Sequence, residues 1–522
     1  MFLYPSVAGG FDPEASTKVM DALENLLLGF SVALTPINLF WCLVGVILGT
    51  VVGVLPGLGP AATIAMLLPL TLKMDHTTAI IALAGIFYGA RYGGSTTSIL
   101  LNIPGESSSV VTCLDGYQLA RQGRAGAALG ISAVASFVAG TIGILGLMLI
   151  APPLARFALR FAPPEYFGLM VLGLAMVVFL AGKSMIKALL AMLEGLWVAT
   201  IGTDLFTAES RFTFGQVKLL GGVDFIAASV GIFAIGEVLV NLESRGGTEL
   251  FKISKGLRNL LPTLQDLKDC RFAFLNGSLV GFFVGALPGA GATVASFLSY
   301  GIEKAFSRHP EKFGTGVIEG VAAPEGANNA DASGALVPLL TLGIPGGNTT
   351  AILLGGLILW GYKPGPLLIQ EHPELFWGLV ASMYIGNVLL LILNIPLVPL
   401  FAQILRLPYF ILYPFILGIS VVGVYSVNSS VFDVWMMGLF GLLGYLMRKL
   451  DFPAAALILG MVLGDSLERA LRQSLMMSQG DIAILVNRPI SGTLLLIAVG
   501  LLCLPAIRKV RSWRVQAVEQ QG

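Results

Sequence analysis

Charge is what this chain has least of: 12% of its 522 residues are Asp, Glu, Lys or Arg, against roughly 25% in a soluble domain. The net charge is +1, which leaves no strongly basic face to recruit nucleic acid. Histidine is scarce too. His76, His309 and His372 all fall in polar connections, so an intramembrane Ser–His enzyme has no histidine at depth. Cys42, Cys113, Cys270 and Cys503 are scattered without a Cys-x-x-Cys pair, and they read as small buried hydrophobes rather than a metal or disulfide framework. No P-loop, His-Glu-x-x-His or Gly-x-Ser-x-Gly occurs, which argues against ATP hydrolysis, zinc hydrolysis and serine acyl chemistry in this chain. The expectation is a non-enzyme without a cofactor. The N-terminus has no basic stretch ahead of an apolar run, so no removable signal peptide is expected.

What is abundant is apolar length. Hydrophobic residues make up 56% of the chain and the mean hydropathy is +0.85. Runs at Ile37–Leu55, Ala125–Ala151, Tyr166–Ala181, Phe225–Val240, Ala273–Leu287, Leu375–Ile404, Val431–Met447 and Gly492–Leu504 predict an all-α polytopic membrane protein of about ten to twelve spans at ~20 residues each. Basic residues gather in Asn241–Arg271 (Arg245, Lys252, Lys255, Arg258, Lys268, Arg271) and at Arg508, Lys509, Arg511 and Arg514. The positive-inside rule places both segments in the cytoplasm.

The chain is written twice. "GVLPGLG" (Gly53–Gly59) returns as "GALPGAG" (Gly285–Gly291), 232 positions later, and "NIPGE" (Asn102–Glu106) matches "GIPGG" (Gly343–Gly347) at 241. The difference of nine falls in the polar stretch Glu303–Gly316. The segments are then an N-terminal piece 1–35, a first repeat 36–240, a cytoplasmic linker 241–271, a second repeat 272–480, a final span 481–507 and a basic tail 508–522. The charge distribution gives the two repeats opposite directions, an inverted arrangement common among secondary transporters. Arg469 and Arg472, near the proposed outer loop, weigh against it.

A proline inside a span removes a backbone hydrogen bond, and the glycine after it lets the helix end. Breaks are therefore expected at Pro56-Gly57, Pro104-Gly105, Pro288-Gly289 and Pro345-Gly346, tolerable at membrane depth only where protein or a water-filled cavity satisfies the backbone. Each starts a half-helix whose N-terminus attracts anions. Gly59 with Thr63 and Gly291 with Thr293 open the first pair, where the dipole end faces the break. The second pair is richer in polar groups. Gly93, Gly94, Ser95, Thr96, Thr97 and Asn102 lead to Ser107 and Ser108, and Glu325, Asn328, Asn329 and Asp331 lead through Gly347 to Asn348, Thr349 and Thr350. Hydroxyls and amides can hold carboxylate oxygens, and exposed carbonyls can hold sodium. With no fixed arginine among these motifs, the expected grip on a di- or tricarboxylate is dipolar and loose. Packing of glycine-rich helices is the competing explanation. For Glu325–Asp331 the alternatives are a cation or proton site and a solvated loop. Glu106 reads equally as a helix cap, Glu237, Asp465 and Glu194 as structural or helix-terminal acids, and Lys183, Lys187, Arg156 and Arg160 as membrane-edge markers.

"GTVVGVLPGLGP", "YGGSTTSILLNIPGESSSVVTCLDGYQLARQGRAG", "APEGANNADASGALVPLLTLGIPGGNTTAILLGGL" and "GYKPGP" together resemble the large membrane subunit of the tripartite tricarboxylate transporters, the TctA type, from about Asn38 to about Leu504. The resemblance implies a bacterial inner-membrane carboxylate importer, working with a periplasmic solute-binding protein and a small subunit of about four spans, driven by sodium or proton entry. It carries the family's LPG blocks onto Pro56–Gly59 and Pro288–Gly291, and its polar blocks onto Gly93–Thr97, Asn102–Ser109, Glu325–Asp331 and Pro345–Thr350. The alternative is a stand-alone organic-anion permease or exporter with no binding protein.

Overall fold

The computed structural model describes residues 13–55, 59–180, 184–204, 206–243, 261–396 and 409–503. Pro56, Gly57, most of the basic linker and the basic tail lie outside them. The main helices are α1 (Pro13–Ala33), α2 (Pro36–Val54), α3 (Pro60–Thr71), α4 (His76–Leu101), α5 (Thr112–Arg121), α6 (Ala125–Ala158), α7 (Pro163–Leu180), α8 (Met185–Ala199), α9 (Phe225–Glu243, with a π-helical turn at Val230–Ile235), α10 (Arg271–Gly285), α11 (Gly291–Phe306), α12 (Glu319–Leu342), α13 (Asn348–Leu359), α14 (Pro373–Asn394), α15 (Tyr409–Asn428), α16 (Val431–Lys449), α17 (Ala454–Met477) and α18 (Pro489–Cys503). Among the described residues, six of these helices are long and apolar enough to cross a membrane and six are shorter apolar helices. The protein is an all-α polytopic membrane protein. The N-terminal piece is helical over Pro13–Ala33 and packs on α14.

Helix ends follow local chemistry. Pro36 and Pro60 open α2 and α3 at a position where a missing N–H costs nothing. Asp75 caps α4 by accepting from the Thr78 amide at 3.0 Å. α4 and α12 both close on a left-handed residue, Asn102 (φ 57°) and Gly343 (φ 70°), the conformation that ends helices in the αL motif.

Packing between helices rests on glycine. A β-carbon at Gly45, Gly49 or Gly53 of α2 would lie 2.3, 2.6 or 2.1 Å from the carbonyl oxygens of Ala82, Ile86 and Ala90 on α4. At Gly277, Gly281 and Gly285 of α10 it would lie 2.8, 2.4 and 2.6 Å from those of Ala323, Ala327 and Asp331 on α12. The first triplet maps onto the second at 232 positions and its partners at 241, the same two offsets as the motifs. Where lipid is as apolar as leucine, such close backbone approach replaces hydrophobic burial as the glue.

In both sets the numbering rises together, so α2 runs parallel to α4 and α10 parallel to α12; α3 and α11 must fold back between them as the return arms of hairpins. The α4–α5 stretch and the stretch leading into and through α12 run in opposite senses. Arg91 meets Asp331, Thr112 meets Glu325, and the Asp115 carboxylate accepts the amides of Gly314, Gly316 and Val317 at 2.8–3.0 Å. Around this centre, α8 lies along α17 and α9 along α16, again through glycines: Gly195 against the Leu457 carbonyl and Gly231 against that of Met437.

Away from the centre, Asp204 anchors the loop after α8. Its carboxylate accepts the amides of Phe206 (2.7 Å) and Thr207 (3.0 Å) and pairs with Arg472 (2.8 Å) and Arg211 (3.3 Å). The Thr207 and Phe206 amides, with Arg472 beside them, hold its carboxyl down at about 2. The two arginines also share Glu468, so Arg472, one of the two residues that weigh against the inverted arrangement, is neutralised by its neighbours.

Candidate functional site

Four chain segments border one cavity of about 730 Å³, within the ~300–1,000 Å³ of ordinary small-molecule sites. Gly59, Pro60, Ala61 and Ala62 reach it from the start of α3, and Pro104–Ser108 from the break after α4. Gly289–Val294 come from the start of α11, and Gly346–Thr350 from the start of α13. Phe87, Val177, Leu180 and Phe233 form an apolar side, and Glu237 and Arg448, paired with each other, face in from α9 and α16.

The backbone that brings them there is glycine-dependent. A β-carbon on Gly105 would sit 2.3 Å from the Gly53 carbonyl and 2.7 Å from Gly94 Cα; on Gly346 it would sit 2.7 Å from the Gly285 carbonyl and 2.9 Å from Ala335 Cα. Each Pro-Gly segment therefore tucks back against its own hairpin before the next half-helix begins. Ser109 Oγ then accepts the Glu106 amide (3.3 Å), and Thr350 Oγ1 accepts the Gly347 amide (2.9 Å). Those hydroxyls cap backbone and are spent; Ser108, also buried, keeps a hydroxyl without a partner.

Among the expected residues, Gly59, Pro104, Gly105, Ser107, Ser108, Gly289, Gly291, Thr293, Asp331, Gly346, Gly347, Asn348, Thr349 and Thr350 line the cavity, and Thr293 Oγ1 donates to Ser107 Oγ across the two halves at 3.0 Å. The others do not. Gly93 is a packing residue against the Thr50 carbonyl, and Gly94 lies against Glu106. Ser95 donates to the Tyr92 carbonyl, Thr97 to that of Gly94 and Thr63 to that of Gly59, so their hydroxyls are engaged in their own helices; Thr96 is buried. Asn102 is the exposed αL cap. Pro288 and Pro345 shape the turns without lining the space. Pro56 and Gly57 lie outside the described residues.

Two readings need correction. Glu325–Asp331 is no solvated loop: the segment is the middle of α12, fully buried. Nor does the site lack a fixed arginine. Arg91, on α4, lines the cavity with its side chain 8% exposed, donating from Nη2 to Asp331 Oδ2 at 2.8 Å and from Nη1 to Asn328 Oδ1 at 2.7 Å, above the ring of Phe87. Asn328 passes the contact on, donating to Glu106 Oε1 at 3.2 Å, so the Glu106 carboxylate serves Asn328. Glu325 lies deeper, held by Thr112, and Asn329 donates to Ser136 at 2.7 Å. Arg91 stands two residues ahead of the Gly93–Thr97 block inside a long apolar helix, and the cost of an arginine at that depth was the signal that could have found it.

The arrangement can bind an organic anion. It offers a guanidinium, hydroxyl and amide donors, and helix N-termini. Among the described residues no cluster of three or more His, Cys, Asp or Glu could hold a metal ion, so any alkali ion would rely on carbonyls, hydroxyls and single carboxylates.

Known proteins place this architecture. An uncharacterized 52.8 kDa protein of the TAR-I ttuC′ 3′ region in Agrobacterium vitis is 49% identical over 498 residues, 94% of this chain and 98% of that protein. An uncharacterized protein of the TAR-II ttuC′ 3′ region in the same organism is 47% identical over 234 residues, 44% of this chain and 97% of that protein. No solved structure matches. The profile of the tripartite tricarboxylate transporter TctA family matches residues 39–459, a span that takes in both hairpins and every cavity-lining break, and the chain belongs to that family.

Proposed function

We propose that this chain is the large membrane subunit of a binding-protein-dependent secondary transporter that imports tri- or dicarboxylates, driven by a sodium or proton gradient across a bacterial inner membrane. The observation that carries the reading is the convergence of four helix breaks and Arg91 on one cavity. A carboxylate has chemical reason to sit there: a guanidinium for one end, amides and hydroxyls at half-helix N-termini for the other. The apolar side formed by Phe87 and Phe233 suits a short carbon skeleton.

An inverted repeat is part of the proposal. α4 and α12 carry corresponding motifs at an offset of 241, and Arg91, Thr112 and Asp115, rising through α4 and α5, meet Asp331, Glu325 and Val317 in falling order. Two hairpins related in this way would approach the cavity from opposite faces, as alternating access requires. The expected partners are a periplasmic solute-binding protein and a small subunit of about four spans, and the basic 508–522 tail is expected in the cytoplasm.

The test is uptake of labelled citrate and succinate into proteoliposomes holding this protein and its small subunit, with the binding protein and an inward sodium or proton gradient each added or omitted. Accumulation that needs the binding protein and one gradient supports the proposal. Uptake with no binding protein makes the chain a stand-alone permease, and equilibration without accumulation makes it a channel.

A further inference from the structure

Asp331 holds Arg91 in an incomplete way. Only Nη2 of the guanidinium reaches it; Nη1 goes to Asn328, while Arg91 Nε and Asp331 Oδ1 have no partner although both atoms are buried. Guanidinium–carboxylate pairs are strongest as two-pronged forks, so this is a single-contact pair in a place where a fork is available. Both residues line the cavity. An arriving substrate carboxylate thus meets a guanidinium already claimed, weakly, by a carboxylate of the chain itself.

The charges around the cavity sharpen the point. Its lining holds Arg91 and Arg448 against Glu106, Glu237 and Asp331, one negative charge in excess before any substrate enters. The groups facing Asp331 are Arg91 on α4 and Glu106 through Asn328; α10 presents only the Gly285 backbone, Glu325 lies farther along α12, and Glu237 is paired with Arg448. Adding a di- or trianion to such a site in low dielectric is costly unless a negative charge is removed.

We propose that Asp331 is the seat of the coupling cation: a proton or sodium ion on its free carboxylate oxygen cancels its hold on Arg91 and releases the guanidinium to the substrate carboxylate. Coupling is then a competition between two carboxylates for one arginine. Substrate binds well only when the cation has bound, and the cation is retained only while substrate occupies Arg91, the reciprocity that linkage demands. This rests on the carboxylate-transport reading above.

The test is calorimetric binding of citrate, succinate and an aromatic carboxylate to the full-length protein in nanodiscs, varying sodium at fixed pH in one arm and pH without sodium in the other. Wild-type affinity should rise about tenfold or more with the cation, and Asp331→Asn should bind tightly and vary by less than about twofold in either arm. Asp331→Asn that keeps the wild-type cation dependence overturns the proposal. A wild type that binds none of the acids overturns the transport reading instead. Should Asp331→Asn fail to fold, carbodiimide labelling of wild-type Asp331, read by peptide mass spectrometry without substrate, decides: protection by sodium, or labelling that grows with acid, supports the assignment and names the ion. Labelling indifferent to both overturns it.

Discussion

The α2–α5 and α10–α13 halves share a backbone and differ in chemistry. Their glycine ladders match position by position, and so do their αL caps, Asn102 and Gly343. The capping hydroxyls match as well, Ser109 and Thr350. The charged groups do not. At the offset of 241, Arg91 corresponds to Ala332, Asp331 to Ala90, and Glu106 to Gly347. Symmetry is therefore kept in the backbone that touches and turns, and abandoned in the charged groups that line the cavity. A scaffold of two like halves builds the space, and the central ion pair is divided between them: Arg91 from one, Asp331 from the other.

The comparison predicts unequal effects of equivalent substitutions. The largest belongs to Arg91: Arg91→Ala should lower carboxylate affinity about 100-fold or more, and Arg91→Lys, which keeps charge but not the fork, about tenfold, whereas Ala332→Ser at the matching position should leave it within about twofold. Isothermal titration on detergent-purified protein reads all three, and equal losses at both positions would break the asymmetry. Next come Gly53→Ala and Gly285→Ala, which push a methyl to 2.1 Å from Ala90 O and 2.6 Å from Asp331 O. Each should cost about 1–3 kcal/mol of stability in a thermal or denaturant melt. Gly59→Ala, with nothing within 4 Å of the new methyl, should cost little. Ser108→Ala removes an unspent hydroxyl that lines the cavity, and should weaken substrate about two- to tenfold without moving the melt. Ser109→Ala should do the reverse, because its hydroxyl serves the Glu106 amide.

The smallest expected effect lies at the α8–α17 edge. Because the Asp204 carboxyl is held down at about 2, the anchoring of the 204–211 loop is fully present above the ordinary carboxylate range and is lost only as pH falls through about 2. Limited proteolysis should find that loop equally protected at neutral pH and in mild acid. Loss of protection already in mild acid would show that Asp204 is not its anchor.

Much of this was legible in the sequence because it is local. A proline followed by glycine ends a helix whatever surrounds it, and two copies of such a pair announce a repeated backbone. The burial of Glu325–Asp331 was not legible, since one polar run can be loop or helix and only the packing of α4, α6, α10 and α11 around it decides. Arg91 escaped for a related reason. Its partner lies 240 positions away, and neither residue belongs to a repeated motif. The role of Gly93 was misread because glycine beside a polar block looks like a site, while here it seats the Thr50 carbonyl. The Asp115 clamp on Gly314–Val317 carries no local signature at all.

The glycine ladders have a mechanical consequence. Two parallel helices whose backbones touch every fourth residue cannot slide, because a shift of one residue, about 1.5 Å, drives side chains into the facing carbonyls. α2 with α4, and α10 with α12, are therefore stiff levers. Under the proposed transport cycle, a change in which side of the cavity is open would come from a change of angle between levers or a swing of the return arms α3 and α11, with the crossing where Arg91 meets Asp331 as its expected fulcrum.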